Sequence, residues 1–108
     1  MENELLNKII KILDSKKAIN IKTIDIKDRS SLADYMIITS GTSSTHIKSL
    51  ADNVEEDLKK EEIYPNKIEG YNTNSWILMD YGDIIVNIFT EEERENYNLE
   101  ELWEKINK

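Results

Sequence analysis

The sequence predicts an α/β fold, a mixed β-sheet packed with helices, and three observations carry that prediction. Trp76 to Phe89 is two apolar runs broken by the single polar stretch Asp80-Tyr81-Gly82-Asp83, the pattern of a β-hairpin. Tyr35-Met36-Ile37-Ile38-Thr39 is a short apolar run without alternation, as expected for a central strand buried on both faces. Two longer segments instead repeat their apolar residues at helical spacing.

The first of these is Leu5, Leu6, Ile9, Ile10, Ile12 and Leu13 among Lys and Glu, which predicts an amphipathic helix over residues 3 to 16. Ile19 to Ile26 alternates Ile with Asn, Lys, Thr and Asp and reads as a half-buried strand. Lys27 to Ser31 is a polar loop. After the central strand, Ser40-Gly41-Thr42-Ser43-Ser44 turns the chain and offers hydroxyl caps to a second helix. Ile47, Leu50, Ala51, Val54 and Leu58 face inward on it, and it is expected to run to about Glu62, where Tyr64-Pro65-Asn66 stops it. Lys67 to Gly70 reads as a short strand and Tyr71 to Ser75 as a polar loop. Beyond the hairpin, Thr90 to Glu93 has the form of a capping box opening a short helix through Arg94. Asn98 is expected to cap a last helix with Leu99, Leu102, Trp103 and Ile106 on one face.

The hairpin has two readings. A two-residue loop places Asp80 opposite Asp83 and gathers Ile77, Met79, Ile84, Val86 and Ile88 on one face, with Tyr81 at positive φ. A three-residue loop with Gly82 left-handed puts Trp76 and Leu78 beside Ile84 and Val86 instead. Both expose Asp80, Tyr81 and Asp83.

At 108 residues the chain supports one core between two layers, so residues 1 to 108 read as a single domain. No apolar run is long enough to span a bilayer and no signal peptide is visible, which points to the cytoplasm and away from a membrane. With no cysteine, thiolate metal sites are excluded, and the single histidine argues against a histidine-based one; a hard-cation carboxylate site stays open to composition, but neither a metal nor a cofactor is expected. The net charge of −8 is uneven: residues 1 to 29 carry seven Lys or Arg against five acids, and the remainder seven against seventeen. Such a surface repels phosphate backbones and attracts a basic partner, or serves solubility alone.

No catalytic constellation emerges. The Gly-Thr-Ser-Ser loop lacks the Lys of a phosphate-binding P-loop and is explained by helix capping. Asp80 and Asp83 are ordinary turn residues. His46, in the first turn of its helix, has no nucleophile or orienting carboxylate in view and reads as a structural hydrogen-bond donor or acceptor. Trp103 reads as core. Trp76, Tyr81 and Tyr97 suit either core or interface, where aromatics concentrate binding energy.

Several blocks, in order and spacing, resemble the ribosomal silencing factor (Iojap, RsfS) family. They are Asp34 to Ile38, Ser40 to Ser44 with His46-Ile47, Glu69-Gly70, Trp76 followed by Asp80 to Asp83, Val86 to Phe89, Arg94, and Tyr97 to Glu100 with Leu102-Trp103. The resemblance implies a nucleotidyltransferase-like fold without its catalytic acids. It also implies binding to the large ribosomal subunit through ribosomal protein L-fourteen, which blocks joining of the small subunit, with homodimers seen among members. The partner-facing residues expected are Trp76, Asp80, Tyr81, Asp83, Asn87, Arg94 and Tyr97, with little direct RNA contact: a basic partner would turn the repulsion of the two acids at the hairpin tip into attraction, and Tyr81 and Trp76 would supply aromatic area. Asn87 stands where the family usually has His, and Asn cannot become charged.

Overall fold

In the computed structural model, which describes residues 3–101, five strands form one sheet in the order β1-β2-β5-β4-β3. They are β1 (Ile19–Asp25), β2 (Tyr35–Gly41), β3 (Lys67–Glu69), β4 (Trp76–Asp80) and β5 (Ile84–Thr90). Only β2 and β5 are parallel, and every other pair is antiparallel. The long connection between them carries α2 (Ser44–Lys59). The helix α1 (Glu4–Ser15) precedes β1, and α3 (Glu91–Tyr97) follows β5 without a loop.

The two long helices form where apolar spacing and caps coincide. Asn3 accepts from the N–H of Leu6 at 3.0 Å and opens α1, which buries Leu6, Ile9 and Leu13 along one stripe. Ser43 accepts from the N–H of His46 at 3.1 Å and opens α2, which buries the five residues expected. The second helix ends at Lys59 rather than Glu62, because Glu62 adopts φ 61° and Ile63 donates back to Leu58. Pro65 lies beyond a helix already closed.

Each sheet face has its own core. Under α1 and α2 lie Ile37 of β2, Ile77 and Met79 of β4, and Ile84, Val86 and Ile88 of β5. On the opposite face Ile24, Ile26, Ala33, Met36, Ile38, Ile85 and Phe89 cluster, with Trp76, Leu78 and Leu99 against them. Burial on both faces explains why β2 shows no alternation.

The hairpin follows neither expected register. Asp80 pairs with Ile85 and Met79 with Val86, while the Tyr81 N–H donates to the Ile84 carbonyl at 2.9 Å. The tip is therefore Gly82-Asp83, with Gly82 at φ 88° supplying the positive φ. The slip from the two-residue reading is two positions, which keeps the expected aliphatic face intact. It also turns Tyr81 inward. Tyr81 is 8% exposed and packs with the helix-covered core, correcting its expected place in solvent. Asp80 and Asp83 are not opposite one another. Asp80 Oδ1 instead accepts from the N–H of Gly82 at 2.8 Å.

At the end of β5, Thr90 accepts from the N–H of Glu93 at 3.4 Å, half of the expected capping box. The reciprocal bond is missing because the Thr90 N–H donates to Ser75 O, tying the start of α3 to the head of β4. The helix continues past Arg94 to Tyr97 and closes on Asn98 at φ 46°. Helical residues resume at Leu99, but Leu102, Trp103 and Ile106 of the expected last helix lie outside the described residues.

Candidate functional site

The residues expected at the site divide between the two ends of β4. Asp80 closes β4 and Asp83 stands at the tip beyond it. Trp76 stands at the other end, opposite Phe89, where the chain passes into α3. There the side chains of β4, β5 and α3 meet: Trp76 stacks on Phe89 with ring centroids 4.9 Å apart, and Tyr97 lies 4.7 Å from Trp76. Phe89 is buried, whereas Tyr97 remains 51% exposed. Offset aromatic packing of this kind strengthens a contact beyond the area it buries.

Asn87 sits beneath this cluster, 1% exposed, with its Oδ1 accepting the Trp76 indole N–H at 3.0 Å. Its Nδ2 is buried without a hydrogen-bond partner. Arg94 points into the sheet. Its Nε donates to Glu100 Oε1 at 2.7 Å, and its Nη1 to Ser40 Oγ and the Ile19 carbonyl. The guanidinium holds the Glu100 carboxyl below its ordinary range. The Ile19 carbonyl is available because the β1–β2 register shifts between Ile19 and Lys22, with Asn20 at φ 47°. Asn20 escaped sequence reasoning, although Asn inside an alternating strand is a recognisable bulge signal. Arg94 thus fastens α3 to the sheet.

Between β4, the loop over residues 70–75 and α3 lies an open groove of about 240 Å³, lined by Trp76, Leu78 and Tyr97 with Glu69 and Glu93 at its rim. Gly70 shapes its floor at φ 78°, and a Cβ there would collide with the Trp76 carbonyl oxygen. The first turn of α3 carries Glu91, Glu92 and Glu93, so the approach is acidic. The groove presents aromatic surface and carboxylates together.

The Gly-Thr-Ser-Ser loop is occupied by internal bonds. The Thr42 N–H donates to His46 Nδ1 at 2.9 Å, Ser43 Oγ caps α2, and the Ile47 N–H donates to Ser43 O. His46 Nε2 reaches the Lys16 carbonyl at 3.0 Å, so the ring clasps the end of α1 to the start of α2. Among the described residues no group of three or more His, Cys, Asp or Glu is placed to hold a metal. Nor is any described helix long and apolar enough to cross a membrane.

A five-stranded mixed sheet with two helices on one face and a short acidic helix beside an aromatic groove defines a class of small α/β proteins already known in crystals. A structure from Chromobacterium violaceum matches at TM-score 0.90 and 32% identity, over 95% of this chain and 87% of that one. The sequence then specifies the family. The family model for the ribosomal silencing factor during starvation matches residues 1–108, and the chain belongs to that family. The ribosomal silencing factor RsfS of Zymomonas mobilis is 41% identical over 92% of this chain and 74% of its own length. That of Haemophilus influenzae is 39% identical over 92% and 97%. Membership places the chain among ribosome-associated regulators of translation.

Proposed function

We propose that this chain represses translation by binding the large ribosomal subunit through ribosomal protein L-fourteen, so that the small subunit cannot join. The observation that carries this reading is the aromatic groove with its acidic rim at the β4–α3 junction. Trp and Tyr anchors beside carboxylates suit a basic protein surface, whereas seventeen acids over residues 30 to 108 oppose RNA phosphates. Trp76 and Tyr97 meet the partner directly. Asn87 and Arg94 support them from beneath, and Tyr81 supports the same hairpin from the other core. Asp80 and Asp83, at the far end of β4, form an outlying acidic contact.

In this reading the protein works in the cytoplasm and is not a catalyst. The alternative, an enzyme of nucleotidyl transfer, requires carboxylates converging on a divalent cation beside Ser43 and Ser44, and the Ser43 hydroxyl and Thr42 N–H there are instead engaged with the backbone and ring of His46. No magnesium-dependent release of pyrophosphate from any nucleoside triphosphate is expected. Release above background that disappears in the Ser43→Ala, Ser44→Ala double variant would restore the enzyme.

Sedimentation of a lysate containing tagged protein tests the proposal. Co-migration with free large subunits and absence from joined ribosomes is expected. Trp76→Ala is expected to weaken the association by about 2 kcal/mol, as for a central aromatic anchor. Equal distribution of the protein between free and joined subunits would overturn the reading.

A further inference from the structure

The groove has two kinds of wall. Trp76, Leu78 and Tyr97 form an aromatic and aliphatic ledge, and Glu69 and Glu93 stand at its edge. A purely apolar ligand gains nothing from the carboxylates, and an anion is repelled by them. The chemistry that uses both walls is a planar cation, attracted by the ring faces and paired with the carboxylates.

The groove's own surroundings do not satisfy that demand. Arg94 is turned into the sheet and committed to Glu100, Ser40 and the Ile19 carbonyl. Lys67 lies 3.7 Å from Glu69, but both side chains are more than half exposed, and such a pair exchanges partners at little cost. Glu93 gives one oxygen to the Asn96 amide at 3.0 Å, a neutral contact. At about 240 Å³ the space falls below the roughly 300–1,000 Å³ of small-molecule sites and suits one long side chain.

We propose that the groove receives a single arginine side chain from the basic partner, its guanidinium laid against Trp76 and Tyr97 and paired with Glu93 and Glu69; the partner's identity rests on the ribosome-binding reading above. Arginine is favoured over lysine because its plane stacks on rings and its fork meets carboxylates from the side.

The pocket is tested without a ribosome by NMR titration of the full chain with Nα-acetyl-arginine amide and with the citrulline analogue, which keeps the shape and lacks the charge. The indole N–H signal lost in Trp76→Phe assigns the reporter. Saturable shifts of that signal and of Tyr97 are expected with the arginine probe, with the citrulline probe at least about fivefold weaker. A Glu69→Gln, Glu93→Gln double variant is expected to lose about tenfold in arginine affinity and, separately, about tenfold in affinity for purified large subunits. Equal response to both probes, or no response at Trp76 and Tyr97, overturns the pocket even if large subunits still bind. An intact arginine response with no subunit binding overturns the ribosomal reading and leaves the pocket standing.

Discussion

The Trp76 indole N–H reaches diagonally from β4 to β5 and donates to Asn87 Oδ1 at 3.0 Å, so a buried amide sets the rotation of the ring that lines the groove. The amide oxygen must face the ring, because an indole nitrogen only donates. Substituting Asn87→Leu removes this acceptor together with an amide nitrogen that has no partner. The two effects oppose each other, and stability is expected to change by no more than about 1 kcal/mol. Large-subunit affinity is expected to fall by a further, separate amount as Trp76 loses its orientation. Chemical denaturation read beside sedimentation distinguishes the two.

Tyr81 gives a pH dependence at the alkaline end. Burial, with the nearby charge of Glu55 adding, pushes its hydroxyl up to about 12 from 10.0. The folded state thus holds this proton where the unfolded chain releases it. The stabilisation is complete below pH 10 and is lost as pH rises toward 12, about 2 to 3 kcal/mol in all. Since the hydroxyl has no partner, Tyr81→Phe is expected to be neutral or up to about 1 kcal/mol more stable at pH 7. Its denaturation midpoint should fall less steeply than the wild type's across that alkaline window.

Glu100 gives the opposite sign. Its carboxyl is held low by Arg94, so its contribution is present above the unfolded carboxylate range and is lost as pH falls through the folded value. Glu100→Gln is expected to destabilise at pH 7 by about 1 to 2 kcal/mol, by weakening a charge-assisted bond. The gap to wild type should narrow below about pH 4. Thermal melts at two pH values measure it.

Gly70→Ala is expected to cost more than about 2 kcal/mol, adding the strain of a side chain at φ 78° to a collision with the Trp76 carbonyl. Both terms fall on the groove floor. Loss of the Trp76 indole shift seen in wild type, alongside a lower melting temperature, is the expected outcome.

Much of this fold was legible because faces obey simple periods. The set Ile77, Met79, Ile84, Val86 and Ile88 follows from period two and survives a two-residue slip in register. The inward set on α2 follows from helical spacing and matches residue for residue. The turn was less legible, because Asp80-Tyr81-Gly82-Asp83 contains more than one acceptable loop. The decisive cue was Gly82 followed by Asp83, glycine in the first central position of a two-residue turn. Choosing it would have placed Tyr81 in the core. The groove was legible only as its separate aromatics. Trp76 and Tyr97 are twenty-one residues apart, and nothing local to either reports that Thr90 closes α3 back onto Ser75.

His46 is the single histidine of the chain, and both its ring nitrogens are engaged, Nδ1 by the Thr42 N–H and Nε2 by the Lys16 carbonyl. The first contact requires an acceptor and the second a donor, so the clasp admits only the tautomer with its proton on Nε2. One imidazole in one tautomer gives one set of nitrogen resonances that needs no assignment. An isotope label on histidine alone therefore turns the junction of α1 and α2 into a reporter of whether the helical layer is docked.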